Sequence, residues 1–429
     1  MQELKFPNKF LWGAATSAHQ VEGDNSNNDW WQAENQGLLS HPARDAADHY
    51  NRFAQDFDLA RELGHNAHRL SIEWSRIEPK PGQFDEQATR HYRRVLLYLR
   101  EHGIEPIVTL HHFTNPIWFA EICGWENKNS PEIFARYVAY CNEHFGDYIK
   151  WWVTINEPTV YVLQGYFMGV WPPFQKNVPK GIKVLWNMAK AHRAAYRVLK
   201  KLSDGHKENF VSIAHNMAAY VPARQNNPIE KILASIIGYF SNDYFLRLIK
   251  KHYDYIGLNY YMVKRVHFNG KINFFIPQSS AKTDMGWEIA PLGLLQVLRH
   301  LPKYKKPILI TENGLADAKD DRRWPFILNH LLMVHTAITE GVDVRGYLHW
   351  SLMDNLELAE GFGPRFGLIK INYDNQAREI RESARKYASI IKKNAIPVET
   401  IQPLLENNKY YPEVLRRYLQ NIIRIKPQS

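Results

Sequence analysis

Eight short apolar or β-branched runs recur along the chain, and helical patterns separate several of them. The runs occupy residues 10–16, 66–74, 105–112, 151–156, 211–215, 255–260, 308–311 and 345–351. Between them, residues 46–63, 88–99 and 189–202 carry apolar side chains at helical spacing. Alternating strands and helices predict parallel pairing with right-handed crossovers. Eight such units, without a glycine-rich phosphate loop after the first strand, favour a single (β/α)8 (TIM) barrel over an open sheet.

Unusual polar or aromatic side chains follow these runs at their carboxyl ends. They are Gln20 and Glu22, Glu73 and Trp74, His111 and His112, Asn156 and Glu157, His215 and Asn216, Asn259 and Tyr261, Glu312 and Asn313, and Trp350. The carboxyl ends of barrel strands meet at one face, where barrel enzymes build their active sites. The pattern therefore predicts one active site at that face.

Two of these residues are carboxylates that directly follow a buried run. Glu312 lies in the segment TENG and Glu157 in the segment TINEP. Alone, Glu312 could be an exposed acid before a turn at Gly314, and Glu157 an acid in the first turn of a helix capped by Asn156. Together, at one end of a barrel, two carboxylates are the minimal equipment for cleaving a glycosidic bond.

Such chemistry requires the pKa values of the two carboxyl groups to differ, so that one is protonated and the other ionised. Arg69 stands inside a predicted strand, where an unpaired cation is costly, and it could keep one carboxylate charged. A structural ion pair, for instance with Glu73, is the alternative. Tyr261 could donate its hydroxyl to the same carboxylate, or could be a packed core tyrosine.

Five segments carry a closer resemblance. They cover residues 10–23, 68–77, 154–158, 310–314 and 350–355, and read FLWGAATSAHQVEG, HRLSIEWSRI, TINEP, ITENG and WSLMDN; Glu357 and the run AEGF follow the last. With these motifs the chain resembles glycoside hydrolase family 1, the retaining β-glucosidase and β-galactosidase type, over roughly residues 6–394.

The resemblance implies a role for each matching residue. Glu157 would be the general acid/base and Glu312 the nucleophile of a double displacement with retention, their carboxyl groups about 5–5.5 Å apart. The residues implied in sugar binding are Gln20, His112, Asn156, Tyr261, Trp350 and Glu357, and those implied in supporting the nucleophile are Arg69, Asn259 and Tyr261. Outside the resemblance, His112 could be a core histidine and Trp350 a barrel-filling aromatic.

The chain also departs from the family pattern. Leu358 stands where the family usually has a tryptophan, so one indole N–H donor to a sugar hydroxyl is missing. Phe113 and His19 replace other aromatic residues that are common in the family. The phosphoglycosidase branch has a serine in place of Glu357, and a carboxylate there would repel a sugar phosphate. The implied reaction is hydrolysis of terminal, unphosphorylated β-D-glycosides, with the preferred sugar left open.

Two alternatives to hydrolysis remain at this stage. A transglycosylase would use the same residues with an acceptor alcohol in place of water. A sugar-binding pseudoenzyme would use the barrel only as a scaffold, and Leu358 is the one feature in its favour. No cofactor and no metal are expected, since the two carboxylates supply both the acid and the nucleophile.

Composition narrows the expected setting. The net charge is +10, with no Lys/Arg run in the barrel region, which indicates positive charge scattered over the surface. The expected partner is a small glycoside or oligosaccharide, with no nucleic acid, no membrane and an open oligomeric state. Two cysteines make no disulfide framework, and the first residues lack the profile of a secretory signal, so a cytoplasmic location is expected.

The last residues differ from the rest. Residues 1–396 are predicted to form the barrel domain, closed by a helix at 381–393, and residues 397–429 a C-terminal extension. An apolar helical stripe at residues 412–423 predicts a helix that packs on the barrel. An oligomer contact and a membrane-surface helix are the alternatives.

Overall fold

Eight parallel strands close into a barrel in the computed structural model, which describes residues 3–201, 208–278, 280–401 and 403. The strands are β1 (Leu11–Ala15), β2 (Ala67–Ser71), β3 (Glu105–His111), β4 (Trp151–Asn156), β5 (Phe210–Asn216), β6 (Ile256–Tyr260), β7 (Ile308–Asn313) and β8 (Val344–Trp350). Each pairs with its neighbours in chain order, and β8 pairs with β1. The predicted (β/α)8 barrel is confirmed.

One long helix follows each strand and covers the outside of the barrel. These helices are α1 (His49–Glu62), α2 (Glu86–Glu101), α3 (Ser130–Phe145), α4 (Val178–Lys201), α5 (Pro228–Gly238), α6 (Pro291–His300), α7 (Arg323–Thr339) and α8 (Glu382–Lys393). Predicted residues 46–63, 88–99 and 189–202 correspond to α1, α2 and the second half of α4. The predicted strand at 66–74 is shorter in the structure, because Trp74 begins a helical turn, Trp74–Ile77.

Most of the shorter helices and strands lie in the connections between the barrel strands and the long helices. The helical ones are Ala18–Val21, Asp29–Asn35, Ile117–Glu121, Gly124–Glu126, Gly146–Tyr148, Pro158–Val162, Leu163–Met168, Tyr239–Asp243, Tyr244–Leu248, Leu301–Tyr304, Leu358–Glu360 and Val398–Thr400. The strands Ala219–Pro222, Val263–Phe268 and Ile272–Phe275 form a small sheet, Ile369–Asn372 pairs with Ala377–Ile380, and Glu3–Lys5 pairs with Ala395–Pro397.

The interior of the barrel changes from apolar to polar along the strands. Seven fully buried residues, one from each strand or its entrance except β1, form an apolar layer: Ala67, Ile107, Val153, Ala214, Tyr255, Leu309 and Leu348. Side chains two residues apart in a strand share a face. Arg69 and Thr109 therefore follow Ala67 and Ile107 on the inside, one layer closer to the carboxyl ends. The apolar layer closes one end of the barrel and leaves the other for polar side chains.

The predicted C-terminal extension stays a prediction. The strand Ala395–Pro397 and the turn Val398–Thr400 continue the chain beyond α8. The predicted helix at residues 412–423 lies outside the described residues. Within the described ranges, the structure contains no helix that is long and apolar enough to cross a membrane.

Gly314 is required by close packing. A Cβ atom at this position would lie 1.8 Å from the carbonyl oxygen of Trp350. We expect Gly314→Ala to lower the free energy of unfolding by about 3 kcal/mol, because β7 and β8 would have to move apart. Thermal unfolding of Gly363→Ala is the control, since a Cβ there meets nothing within 4 Å. Equal melting temperatures for the two variants would contradict this interpretation.

Candidate active site

The two carboxylates predicted from the sequence both follow an irregularity in strand pairing. The register of β7 against β6 shifts between Ile310 and Glu312, and that of β4 against β5 shifts between Val153 and Asn156. Such irregularities re-aim the side chains that come after them. Glu157 adds a left-handed backbone conformation (φ 44°) at the start of the helix Pro158–Val162. That conformation costs about 1 kcal/mol in a residue other than glycine and is typical of functional sites.

Glu312 lies between a cation and a hydroxyl donor. Arg69 Nη1 donates to Oε1 of Glu312, and the Tyr261 hydroxyl donates to Oε2 at 2.6 Å. The other nitrogens of Arg69 are also occupied, with Nη2 on Asn156 Oδ1 at 2.7 Å and Nε on Thr109 Oγ1 at 3.0 Å. Both donors interact best with an ionised carboxylate. The arrangement therefore holds both oxygens of Glu312 in a fixed orientation beside a cation.

The alternative pairing of Arg69 with Glu73 does not occur. Glu73 instead accepts hydrogen bonds from Ser75 Oγ at 2.7 Å and from Thr114 Oγ1 at 2.9 Å. The alternative of a packed core tyrosine also fails for Tyr261, because its hydroxyl is bound to Glu312.

The side chain of Glu157 is buried. Within the described residues, its hydrogen-bond donors are side-chain amides. Its Oε1 accepts from Asn259 Nδ2 at 2.7 Å and from Asn216 Nδ2 at 3.2 Å. Burial, and next the negative charge of Glu312, raise the pKa of Glu157 to about 7. Thr311 Oγ1 donates to Asn259 Oδ1 at 2.7 Å, which turns the amide nitrogen of Asn259 towards Glu157. Glu157 can therefore carry a proton much closer to neutral pH than an ordinary glutamate can.

Asn156 connects the two carboxylate environments and does not cap the following helix. Its Oδ1 accepts from Arg69 and, at 3.2 Å, from Asn259 Nδ2, and its Nδ2 donates to His112 Nε2 at 3.2 Å. Burial and the charge of Arg69 hold the pKa of His112 well below its usual value. His112 is therefore neutral, as an acceptor from Asn156 requires.

Three further predicted residues, Trp350, Gln20 and Glu357, form a wall together with His112. The ring of Trp350 lies nearly parallel to that of His112, with a centroid distance of 5.9 Å. Gln20 is fixed by the Ser17 hydroxyl at 2.6 Å and by its own bond to the carbonyl of Leu356 at 2.7 Å. The carbonyl of Leu356 directly precedes Glu357, so Gln20 holds the segment that carries this carboxyl group.

The carboxyl group of Glu357 is only partly hydrogen-bonded. Within the described residues, its Oε2 is buried and makes no hydrogen bond, while the Trp350 side chain donates to the carboxyl group. Burial, followed by the charges of Glu312 and Glu157, raises the pKa of Glu357 to about 8. A buried polar atom without a partner is costly, so a ligand hydroxyl is a natural partner for it.

Several residues that end strands in the sequence do not reach this site. Glu22 accepts from Arg76 and Tyr92, His111 contacts Asn115, His215 contacts the carbonyl of Asn242, Asn313 bridges Tyr347 and Tyr260, and Trp74 packs on Tyr137. These side chains stabilise the barrel rim and its helices. The structure therefore places a polar site at the carboxyl ends of the strands, as predicted, but only some of the predicted strand-end residues contribute to it.

Sequence analysis missed two residues that position the site, Thr109 and Thr311. It placed Asn216 at the active-site face but did not foresee its contact with Glu157. Thr109 and Thr311 are β-branched residues inside or at the end of strands, where threonine is common for other reasons. Two aromatic residues, Trp287 and Phe366, also surround Tyr261, with ring centroids 5.7 and 6.4 Å away.

The three departures from the family pattern are all accommodated in the interior. Leu358 is buried and has a left-handed backbone (φ 47°). Phe113 packs edge-on against His112 at 5.1 Å and against Trp171 at 4.9 Å. His19 Nδ1 accepts from Asn25 and Asn28, so its Nε2 carries the proton that Glu34 accepts at 3.2 Å.

The site combines a buried carboxyl group whose pKa is raised to about 7 with a second carboxylate held by a cation. This is the equipment of acid-assisted substitution at an acetal carbon. Among the described residues, no group of three His, Cys, Asp or Glu side chains is arranged to hold a metal ion. The expectation that no metal or cofactor takes part stays a prediction.

Comparison with known proteins gives a consistent result. The model of glycosyl hydrolase family 1 matches residues 2–247 and 240–396. Beta-glucosidase A of Thermotoga maritima is 32% identical over an alignment of 453 positions that covers 92% of this chain and 100% of that protein. A beta-glycosidase from Pyrococcus horikoshii superposes with a TM-score of 0.90 at 37% identity, covering 96% of this chain and 100% of its own. The Thermotoga maritima beta-glucosidase in complex with glucoimidazole gives 0.87 at 30% identity, covering 92% and 100%.

The raised pKa of Glu157 can be tested through its neighbour. We expect Glu312→Gln to lower the pKa of Glu157 from about 7 towards its ordinary value, because a negative charge that disfavours ionisation is removed. Infrared difference titration of the carboxyl band measures this pKa. Glu379→Gln, which removes an exposed and distant charge, should leave it unchanged. An unaltered pKa in Glu312→Gln would mean that burial alone sets it.

Proposed function

The chain belongs to glycosyl hydrolase family 1 and is a retaining β-glycosidase, and we propose that Glu312 is its nucleophile and Glu157 its general acid/base. The observation that carries this assignment is the asymmetry of their surroundings. Glu312 receives the Arg69 cation and the Tyr261 hydroxyl, whereas Glu157 receives two neutral amides and has a pKa of about 7.

In the first step, an oxygen of Glu312 bonds to the anomeric carbon as the bond from that carbon to the aglycone oxygen breaks. Glu157 transfers its proton to the departing oxygen. The product is a glycosyl ester of Glu312 with inverted anomeric configuration. Tyr261 and Arg69 hold Glu312 in line and stabilise it again as a carboxylate when it leaves.

In the second step, the ionised Glu157 removes a proton from a water molecule. The water oxygen bonds to the anomeric carbon, and the ester bond to Glu312 breaks. A second inversion restores the original configuration, and both carboxyl groups return to their starting states. A carboxyl separation of about 5–5.5 Å is expected for this double displacement.

The proposed sugar contacts use the wall described above. Gln20, His112, Trp350 and Glu357 line the glycone subsite, and Tyr261 lies beside the ring on the nucleophile side. Asn156 is proposed to donate to the 2-hydroxyl, a contact that strengthens in the transition state. Its amide is already oriented by Arg69 and Asn259, so no reorientation is needed when the sugar enters.

Terminal, unphosphorylated β-D-glycosides are the proposed substrates. Glu312 already disfavours the ionisation of Glu157, and both of these residues disfavour the ionisation of Glu357. A sugar phosphate beside Glu357 would add like charge to this group. Neither transglycosylation nor sugar binding without turnover is favoured by the relatives.

The partner of this site is a small glycoside, which is consistent with the sugar-like inhibitor bound to a structural neighbour. The proposal includes no cofactor, no metal and no nucleic acid. We also propose a cytoplasmic location, with which the free thiols of Cys123 and Cys141 are compatible.

Chemical rescue distinguishes the two catalytic roles. We expect Glu312→Ala to lower kcat for a nitrophenyl β-glycoside by about 10⁴-fold or more. Azide should restore turnover and give an α-glycosyl azide, because it replaces the nucleophile. Glu157→Ala should lose about 10²–10⁴-fold and give the β-glycosyl azide, because azide then attacks the glycosyl ester.

The control for this experiment is a third carboxylate at the same face. Glu73 is bound to Ser75 and Thr114 away from the pair, so Glu73→Gln should keep activity within about tenfold. Full activity of Glu312→Ala, or the same anomer from both variants, would refute the assignment.

The exclusion of phosphorylated sugars gives a separate prediction. We expect kcat/KM for a nitrophenyl β-glycoside to exceed that for its 6-phosphate by at least about 100-fold above pH 8, where Glu357 is ionised, since like charges side by side cost several kcal/mol. Glu357→Gln should reduce this ratio. Comparable values of kcat/KM in the wild type would contradict the proposed substrate class.

A further inference from the structure

Exposed apolar side chains are concentrated on one side of the barrel. Of the sixteen large apolar residues that are exposed in the described part of the chain, fourteen come from three segments. We call this surface the apolar band; it consists of Leu163, Phe167, Met168, Val170, Val178, Ile182, Trp186, Ile229, Ile232, Ile236, Phe240, Ile272, Phe274 and Phe275. Monomeric proteins rarely expose an apolar surface of this extent without a partner for it.

Contacts between the three segments make the band continuous. Phe167 packs against Gly181 at the start of α4, and Trp186 on the same helix donates to the Tyr244 hydroxyl at 3.0 Å. The ring of Tyr244 lies 5.6 Å from that of Phe240. The neighbouring Ser241 contacts the Tyr220 hydroxyl at 2.7 Å, which leads to the small sheet that carries Phe274.

One helical stripe forms the centre of the band. Ile229, Ile232, Ile236 and Phe240 are spaced by three or four residues and therefore share one face of α5 and its continuation. That face points outwards, since Ile232 and Phe240 are 59% and 57% exposed. An amphipathic helix normally turns its apolar stripe to the core, so this orientation calls for an external partner.

A basic groove lies next to the Phe240 end of the stripe. Its volume is about 770 Å³, and its lining includes five cations: Arg247, Lys250, Lys251, Lys303 and Lys306. The ring of Tyr239 joins the groove to the band, because it lies 5.3 Å from the ring of Phe240 and 5.6 Å from the Arg247 guanidinium. The positive charge that is scattered along the sequence is therefore gathered in space at the edge of the apolar band.

The groove has a surplus of positive charge. Its acid, Asp243, is used by Lys303 at 2.8 Å, His300 at 2.9 Å and the Tyr304 hydroxyl. Within the described residues, Arg247, Lys250 and Lys251 form no ion pair with a carboxylate. The first segment of the band has the same bias, since residues 163–186 contain three lysines and no Asp or Glu, although Lys180 pairs with Glu126.

We propose that the apolar band and the basic groove together bind the surface of an anionic lipid bilayer. An apolar face rimmed by unpaired lysines matches the boundary between acyl chains and anionic headgroups. If a second copy of this chain bound through the same surface, its basic groove would lie close to the basic groove of the first copy, and the lysines would repel one another. The residues after 403 are also a poor match, because they carry five Lys or Arg against two Glu.

The proposal revises the expectation that no membrane would be a partner. Leu163–Met168 directly follows the short helix that begins after Glu157, so the band starts one short helix away from this carboxyl group. Bound in this way, the protein would keep the active site close to the lipid surface.

Co-sedimentation with vesicles tests the proposal on the full chain. We expect wild-type protein to bind phosphatidylcholine vesicles that contain phosphatidylglycerol, and to bind pure phosphatidylcholine far less. The double variant Ile232→Ser/Phe240→Ser should bind at least about tenfold less. Lys250→Gln/Lys251→Gln should lose about fivefold for each lysine. Hydrolysis of a soluble nitrophenyl glycoside should be unchanged in both.

Matched variants elsewhere on the surface serve as controls. Leu38→Ser/Ile122→Ser removes the two exposed apolar residues outside the band, which are 57% and 41% exposed. Lys386→Gln/Lys392→Gln removes two lysines of α8, across the barrel. Both should bind vesicles as the wild type does.

Three results would overturn the proposal. The first is equal vesicle binding by band variants and controls, or no binding by the wild type. The second is a dimer that Ile232→Ser/Phe240→Ser dissociates in sedimentation velocity, without any effect of lipid; this would assign the band to a second copy. The third is binding to RNA that depends on the lysines and not on the band, with no lipid binding.

Discussion

The ion pair between Arg69 and Glu312 spans the inside of the barrel, and the geometry of the site depends on it. An arginine that is 0% exposed is tolerable only when its donors are used, and Arg69 places them on Glu312, Asn156 and Thr109. Removing one member of such a buried pair leaves an uncompensated charge at a cost of about 3–5 kcal/mol. One cation on β2 thereby fixes side chains on β3, β4 and β7, so the fold and the reacting groups share one network.

A second consequence is the unequal treatment of three carboxyl groups in one cavity. Burial, and next the negative charge of Glu312, which takes the cation, disfavour the ionisation of both Glu157 and Glu357. Asn259 and Asn216 moderate the effect at Glu157 and leave its pKa near 7, where it can both give and accept a proton. At Glu357 a single indole donor offsets less, and one oxygen stays without a partner in the described structure. The same charge therefore prepares one group for proton transfer and the other for a sugar hydroxyl.

Sequence patterns located the strands and the active-site face because both depend on local features. Apolar runs such as 308–311 mark strands, and a carboxylate directly after such a run is unusual enough to be recognised. Which strand-end residues point inwards depended on pairing shifts, as at Ile310–Glu312, and no single strand encodes its neighbour's register. Glu22 and Glu73 therefore resembled Glu157 in sequence, although they lie in other networks. Thr109 and Thr311 could not be identified, because their role arises only from contacts with Arg69 and Asn259.

The same limit applies to the surface. Lys250 and Lys303 are far apart in sequence, and only the closure of the barrel brings them into one groove beside Phe240. Like charges left together without counter-charges destabilise a folded protein through self-repulsion, and an exposed apolar stripe gains nothing from burial. Inside the barrel, all the nitrogens of Arg69 have hydrogen-bond acceptors. At the apolar band and the basic groove, by contrast, neither the repulsion between cations nor the exposure of apolar side chains is offset. Their coincidence on one face is more simply explained by an external partner that is apolar and anionic than by two unrelated defects.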